Sequence, residues 1–433
     1  MKTVKVAIVG FGTIGSGVAR LLLEHADRIS RQAGCCVELA RVVDKDLHRP
    51  RNVVLSPGLL TDDVGAVLSD PEIGTVVQLI GGLEPERTIM LKMLEAGKNI
   101  VTANKALLAE HGAELFDRAR ALGRTIAFEA AVAGGIPIIA SINECLTANQ
   151  IQSIHAIVNG TSNFILTQME EAGTDYAAAV AEAQRLGYAE ANPEMDVNGA
   201  DAAQKLAILA HLAFGARINW RDIPRIGIDT VALADIRFAQ ELGYRIKLLA
   251  VAELTDEGLE LHVSPTLVRH GTPLAEVREA FNAVRVIGDA VGRVFYQGQG
   301  AGQMPTASAV VADLISTLVG RTEITFRSRA FWSESAPAAV AARDSSRIIG
   351  RHYMRFNVDD RPGVMAEIAG ILGSHQISIA SIIQHESEDR DDGVVPLIIM
   401  THASSEGAVA DAFAAINKLA CAHPGGTRMR VRA

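Results

Sequence analysis

Short apolar runs alternate with amphipathic stretches from the first residues onward. Residues 4–9 form a β-branched run that stops at Gly10, and residues 14–23 carry apolar side chains at helical spacing. Further runs predict strands over 37–43, 75–80, 99–102 and 125–129, with helices over 85–96 and 106–122. Strands that alternate with helices need crossover connections, which give a mainly parallel, doubly wound α/β sheet covered on both faces.

Beyond residue 130 the rhythm changes. Residues 151–158 and 248–254 read as strands, while 176–185 and 201–214 read as helices, an α+β unit. Residues 306–318 predict a helix able to pack on either of these units, and 321–348, rich in Arg, Ser and Ala, read as a linker. The tail predicts strands over 353–358, 377–385, 394–401 and 428–432, helices over 364–374 and 407–419, and a charged turn over 386–392. That order, βαββαβ, is a ferredoxin-like domain. The expected domains are 1–130 for dinucleotide binding, 131–320 for substrate and dimerisation, a linker over 321–350, and a regulatory domain over 351–433.

A composition of 48% hydrophobic and 21% charged residues supplies enough apolar side chains for several buried cores, which excludes wholesale disorder. The net charge of -9 disfavours a nucleic-acid partner, because a phosphate backbone repels an acidic surface. Cys35, Cys36, Cys145 and Cys421 show no metal-ligand spacing, which fits a reducing compartment. The N-terminus lacks the long apolar core of a secretory signal. The apolar run over 130–143 is broken by Gly134, Gly135 and Pro137 and is shorter than the roughly 18–20 residues of a membrane span, so a cytoplasmic protein without membrane contact is expected.

Gly10-Phe11-Gly12-Thr13-Ile14-Gly15 satisfies GxGxxG between a predicted strand and a predicted helix. The first glycine permits the turn, the second admits a pyrophosphate, and the third lets helix pack on strand, as in a Rossmann-type dinucleotide site. Asp44 closes the second strand and suits a ribose hydroxyl, which favours NAD. Lys45, Arg49 and Arg51 follow it and suit the additional phosphate of NADP, so the cofactor stays open between the two.

Three further stretches carry chemistry: Val101-Thr102-Ala103-Asn104-Lys105 at a strand end, Asn159-Gly160-Thr161-Ser162-Asn163, and Gly187-Tyr188-Ala189-Glu190 leading through Asp196 to Asp201 and Lys205. Ligands of a doubly wound sheet bind beyond the carboxyl ends of its strands, where Lys105 falls. A helix starting near Ala200 puts Asp201 and Lys205 on one face, as catalytic groups or as a plain surface ion pair.

These motifs together resemble the homoserine dehydrogenase family along nearly the whole chain: GFGTIG from Gly10, TANKALLA from Thr102, EAAVAGGIPII from Glu129, NGTSNFIL from Asn159, GYAEANPEMDVNGADAAQKLAIL from Gly187 and GAGQMPTASAVVADL from Gly300. The resemblance implies interconversion of L-homoserine and L-aspartate 4-semialdehyde with NAD or NADP. It implies Lys205 as acid/base, Lys105 as a second lysine near the reacting carbon and the nicotinamide, and Glu190 and Asp201 as substrate ligands. Asp196 is expected to orient a lysine or to cap a helix entry, and Gly187 and Gly302 to approach the cofactor by backbone. Backbone carbonyls of Glu129, Val132, Gly134 and Ile136 are implied as ligands of a monovalent cation, sodium; residue types alone fit a glycine-bent domain junction equally. Where the family often has an acid, this chain has Asn192 and Asn198.

Asn357-Val358-Asp359-Asp360-Arg361-Pro362-Gly363-Val364 resembles the signature of ACT domains, small amino-acid-binding regulatory modules. That implies feedback by L-threonine, with a module that only dimerises as the alternative. The family implies a homodimer or homotetramer and, with no kinase-like segment in view, a monofunctional enzyme. Two rivals are weaker: a dehydrogenase resembling the 3-phosphoglycerate enzymes, which places its dinucleotide turn mid-chain, and a silent nucleotide sensor, which leaves the lysines and carboxylates without a task.

Overall fold

A computed structural model describes residues 1–329, 338–385 and 393–432. The chain forms two compact units, each drawn from separate stretches: Met1–Gln152, Gln204–Asp222 and Asn282–Ala341 in the first, Ser153–Ala203, Ile223–Phe281 and Ala342–Ala433 in the second. The turn expected over 386–392 and part of the expected linker, 330–337, lie outside the described residues. Among the described residues no helix is long and apolar enough to cross a membrane.

In the first unit, β1 (Thr3–Val9), β2 (Cys36–Val43), β3 (Leu60–Thr61), β4 (Ile73–Gln78), β5 (Asn99–Thr102) and β6 (Ile126–Ala127) pair in the order β3-β2-β1-β4-β5-β6, all parallel. The strand order reverses between β1 and β4, which opens a crevice beyond their carboxyl ends. Val6, Ala7, Ile8 and Val9 are buried, as a strand covered on both faces requires. The strand expected over 125–129 is cut to Ile126–Ala127, and Glu129–Ala131 is a 3-10 turn. Side chains draw the backbone out of the sheet there. The Glu129 N–H donates to Asp313 Oδ2 at 2.7 Å, and the Glu129 carboxylate accepts the N–H groups of Ile139 and Ala140 at 2.8 Å each.

The helix Gln303–Leu318 packs on the helix Thr13–Glu24 of this same unit. A Cβ at Gly17 would stand 2.8 Å from Gln303 Cγ and 3.1 Å from Ala307 Cβ, so glycine sets the approach of the two helices. Val18, Ala19 and Leu22 share one apolar core with Ala307, Val310, Val311 and Leu314. Arg321–Ser328, at the start of the expected linker, is helical, and its Phe326 stacks on Phe116 with ring centroids 5.5 Å apart.

The second unit holds β7 (Ile151–Ile157), β8 (Tyr244–Thr255) and β9 (Gly258–Arg269); the strands β10 (Phe281–Gly288) and β11 (Gly292–Gln299) fall almost wholly in the first. β12 (Ile349–Asp359), β13 (Ile379–Gln384), β14 (Val394–Thr401), the two-residue β15 (Ser404–Ser405) and β16 (Ala422–Arg432) complete it. With the helices Val364–Ser374 and Glu406–Ile416, the tail is the expected βαββαβ, in the order β16-β12-β14-β13. Met354, Phe356, Ile368, Leu372, Leu397, Ile399, Val409 and Ile416 fill its core. Its edge strand β16 also pairs in parallel with β9, Arg430 through Arg432 against Thr266 through Val268. The tail is therefore joined to the middle strands by a backbone ladder.

A buried ion pair reinforces that junction. Asp235, on the helix Leu233–Glu241, has no exposed surface, and its carboxylate accepts Arg355 Nε at 2.6 Å and Nη2 at 3.0 Å, the Tyr353 hydroxyl at 2.8 Å and the Ala232 N–H at 2.8 Å. A buried carboxylate that loses its guanidinium keeps the whole desolvation cost. Arg355→Met is expected to lower the unfolding free energy by about 3–5 kcal/mol in urea denaturation. A loss below about 1 kcal/mol would show that Tyr353 and the backbone N–H alone satisfy the charge.

Candidate functional site

The glycine turn is built as its spacing requires. Gly10 has φ +102°, and a Cβ there would lie 2.8 Å from the backbone of Leu79 and Ile80. A Cβ on Gly15 would lie 2.0 Å from the Gly10 carbonyl oxygen. At Gly12 a Cβ would meet nothing within 4 Å, so the backbone faces open space that an anion can enter. Gly12 also caps the helix Thr13–Glu24 without a side-chain hydrogen bond, and no acidic residue stands in the first turn. The free N–H groups and the positive end of the helix are left to a ligand, and this cradle fits a pyrophosphate.

Ser16 and Ile14 flank the turn, and Gln303 braces it: Gln303 Nε2 donates to the Thr13 carbonyl and to Ser16 Oγ at 3.0 Å each. The preceding residue, Gly302, has φ +120° at the start of its helix, a backbone that side-chain-bearing residues avoid. Gly302 is thus one residue from a direct contact with the turn. Gln303 escaped the sequence reading because it lies 287 residues from Ser16.

The ends of β4 and β5 are closed by a second polar chain. The Thr102 hydroxyl donates to Gln78 Oε1 at 3.0 Å, and the Asn104 N–H donates to that hydroxyl at 3.1 Å. Asn104 Nδ2 donates to the carbonyls of Ile80 and Gly82 at 3.1 and 2.8 Å, while its Oδ1 accepts the Leu107 N–H at 3.1 Å and caps the helix Lys105–Ala121. Lys105 is the first residue of that helix, beyond the carboxyl end of β5 and half-buried. An ammonium at the positive end of a helix stands against the local field, a placement that a bound anion relieves.

In the second unit Asn159 organises the acidic segment. Its Nδ2 donates to Asp196 Oδ1 and to Asp201 Oδ2, both at 2.8 Å, and its Oδ1 accepts the Ser162 N–H at 2.7 Å. One amide therefore holds two carboxylates and caps the helix Gly160–Ala172. Asn159 and Asp201 are both 5% exposed, and Ser162 Oγ donates to the Asp196 carbonyl at 2.9 Å. Asp201 lies in the first turn of the helix Ala200–Phe214, where the helix field favours a carboxylate, and Lys205 follows one turn later on the same face.

Gly187, at φ +78°, and Glu190 lie in an exposed loop. Thr161 Oγ1 donates to the Tyr188 carbonyl at 2.6 Å, and Gln184 Nε2 to the Glu190 carbonyl at 3.1 Å, so the loop is anchored by its backbone and the Glu190 side chain is exposed. Asp196, Asp201, Gly187 and Glu190 fall in the second unit, Lys105 and Lys205 in the first. Sequence reading quoted Asn159 within a motif and assigned it no role; its task depends on two acids more than 35 positions away.

The segment proposed for a cation is buried in the first unit. Glu129 is 7% exposed, Val132, Ile136 and the adjacent Ala133 are buried, and the Gly135 N–H donates to the Gln299 carbonyl at 2.9 Å. Burial pushes the Glu129 carboxyl up to about 7 and the Asp313 carboxyl well above its ordinary range. A buried acid, Glu129, and a partly buried one, Asp313, beside this turn are a setting that a positive charge would stabilise. Among the described residues no group of three or more His, Cys, Asp or Glu side chains is placed to hold a metal, so a cation here has to be met by carbonyls such as those of Val132, Gly134 and Ile136.

In the tail, Gly363 has φ +95° and starts the helix Val364–Ser374, as its signature requires. Asp359 pairs with His423 at 2.7 Å and with Arg361 at 3.6 Å, and Arg361 reaches Glu367 at 3.3 Å. The second asparagine of the NGTSN motif, Asn163, serves the fold. Its Nδ2 donates to the carbonyls of Val277, Glu279 and Phe281 at 3.2, 2.9 and 3.3 Å, and its Oδ1 accepts Lys247 Nζ at 3.1 Å. Lys247 also donates to the Val277 carbonyl at 2.5 Å and is 1% exposed; burial pulls its ammonium down to about 8.

Three family models match the chain: the NAD-binding domain of homoserine dehydrogenase over residues 10–129, homoserine dehydrogenase over 137–315 and the ACT domain over 352–420. The chain is similar to a homoserine dehydrogenase of Pseudomonas aeruginosa, 44% identical across 97% of this chain and 96% of that one. It is similar in structure to a homoserine dehydrogenase from Thiobacillus denitrificans, with a TM-score of 0.91 and 41% identity over 100% of this chain and 99% of that one. A hyperthermophilic archaeal homoserine dehydrogenase in complex with NADPH aligns with 72% of this chain and 97% of its own, at a TM-score of 0.59 and 26% identity.

The buried lysine of this unit has a measurable signature. Its folded pKa, about 8, lies below the ordinary 10.5, so between those values the unfolded chain binds a proton that the folded chain releases. Stability contributed at this position therefore rises with pH from about 8 to 10.5 and carries its full charge penalty below 8. Lys247→Met is expected to remove that slope, so that the difference in unfolding free energy between the two proteins changes by about 2–3 kcal/mol across the window. Parallel pH profiles in denaturant melts would contradict it.

Proposed function

The chain belongs to the homoserine dehydrogenase family, and on that footing we propose that it interconverts L-homoserine and L-aspartate 4-semialdehyde with Lys205 as acid/base, serving threonine, methionine and isoleucine synthesis. It is an NAD(P)-dependent oxidoreductase with a C-terminal ACT domain. The observation that carries the residue roles is the Asn159 amide holding Asp196 and Asp201 at the start of the helix that bears Lys205.

The bound dinucleotide supplies the hydride that reduces the aldehyde carbon, or takes it back from the alcohol. Lys205 then gives its ammonium proton to the oxygen on which negative charge grows, and recovers a proton in the reverse direction. Lys105, at the strand end, would add a second positive charge near the reacting groups of a bound dinucleotide and substrate. Asp201 and the exposed Glu190 accept the substrate ammonium, while Asp196, tied to Asn159, keeps the acidic pair in register. Gly187 and Gly302 offer backbone where a side chain would intrude. Sodium held by carbonyls of Glu129, Val132, Gly134 and Ile136 is supported by the two acids beside them, whose carboxyls are pushed above their ordinary range. Regulation by L-threonine at the helix start after Gly363, a homodimeric or homotetrameric assembly and a cytoplasmic location complete the proposal.

The test follows oxidation of NADPH and of NADH with L-aspartate 4-semialdehyde. Lys205→Ala is expected to lower kcat by about 10²–10⁴-fold, and Glu190→Gln to raise KM by about tenfold with a smaller change in kcat. L-threonine is expected to inhibit, and Gly363→Val to relieve that inhibition while leaving uninhibited turnover in place. Turnover preserved in Lys205→Ala would remove the acid/base assignment. Absence of turnover by folded, cofactor-bound wild type would remove the substrate assignment.

A further inference from the structure

From the contacts at the end of β2 we infer that the chain selects NADP over NAD and that Arg51 sets the preference; the inference rests on the dinucleotide reading above. In many dinucleotide sites an acid at this position accepts the adenosine ribose hydroxyls and repels a 2′-phosphate. Asp44 occupies the position, but its carboxylate is turned inward. Oδ2 accepts the Phe11 N–H of the glycine turn at 2.6 Å, and Oδ1 accepts the Asp46 N–H at 2.9 Å and faces Arg51 Nη2 at 3.4 Å. Three of the roughly four acceptor positions of a carboxylate are spent within the protein, and a guanidinium offsets its charge. A two-handed grip on a ribose diol is no longer available.

Arg51 is held as firmly. Nε donates to the Phe11 carbonyl at 2.8 Å, Nη1 to the Arg49 carbonyl at 2.9 Å and Nη2 to the Asp46 carbonyl at 2.6 Å, and Cζ lies 4.8 Å above the Phe11 ring. The Arg51 side chain is only 8% exposed and that of Asp44 16%. One Nη1 N–H is left over in a fixed plane beside the turn. A cation locked in this way loses little freedom when it meets a phosphate.

The neighbours point the same way. Lys45 and Arg49 are exposed on the same loop, while the other acid, Asp46, spends Oδ1 on the N–H groups of His48 and Arg49 at 3.1 and 3.0 Å. Between residues 44 and 51 three cations face two acids, both engaged with backbone N–H groups of the protein. The loop therefore offers a net positive, partly preordered cradle next to the pyrophosphate turn, which suits a phosphate on the adenosine ribose and leaves a bare diol without a partner.

Calorimetric titration of the full chain with NADP+ and, separately, NAD+ tests this without turnover. Wild type is expected to bind NADP+ about tenfold or more tighter than NAD+, the size of one charge-assisted contact. Arg51→Gln is expected to weaken NADP+ about tenfold and to leave NAD+ within about twofold. Lys45→Gln and Arg49→Gln, both on exposed side chains, are expected to weaken NADP+ alone by a smaller factor, and they decide the matter if Arg51→Gln does not fold. Equal or tighter NAD+ binding by wild type would overturn the inference, as would Arg51→Gln weakening both cofactors alike, the mark of a mere strut for the turn. Failure of the folded chain to bind either dinucleotide would instead remove the reading on which the inference rests.

Discussion

The carboxyl edge of a parallel sheet leaves backbone groups that no neighbouring strand can pair, and burying them unpaired is costly. In the first unit side chains close several of the strand ends that border the crevice. Asp44 takes the Phe11 N–H beyond β1, Thr102 joins Gln78 across the ends of β4 and β5, and Asn104 takes the carbonyls of Ile80 and Gly82. These bonds hold the loops that carry the glycine turn and Lys105. The crevice is firm because these edges are satisfied, and at Gly12 the helix end is left uncapped with open space beside it.

The second unit obeys the same constraint in its interior. Asn159, Asn163 and Asp235 are polar, buried and fully engaged, each drawing together segments far apart in the chain. Asn159 lets two carboxylates sit close together at a helix start without repelling each other apart. Asn163 gathers three carbonyls from alternate residues and a buried lysine. The two asparagines of one short motif thus divide their labour: the first ties two carboxylates together, and the second holds the segment from Val277 to Phe281.

The tail is tied to the middle of its unit by two different forces. The β9–β16 ladder is short, three residue pairs, and would be weak alone. The Asp235 carboxylate, enclosed by Arg355, Tyr353 and the Ala232 N–H, adds a charge that cannot be exposed or left bare. The helix that starts after Gly363 lies in the same βαββαβ module as β12, whose Arg355 reaches Asp235.

Much was legible in the sequence because it is local. Period and β-branched content placed the strands and helices of both the dinucleotide fold and the tail, and the glycines at 10, 15, 187, 302 and 363 stand where positive φ or close approach demands them, since those constraints act within a few residues. Motif spacing likewise put Asp201 and Lys205 on one helix. Only the tertiary structure decided which surface covers the helix Gln303–Leu318, that Asn159 joins Asp196 to Asp201, that Asp313 takes the Glu129 N–H, that Asp44 turns toward Arg51, and that β16 extends the sheet of β9. An apolar stripe states that a face must be covered and a buried polar group that it must be paired. Neither states by which distant residue, because that choice is made by packing and not by the neighbouring chain.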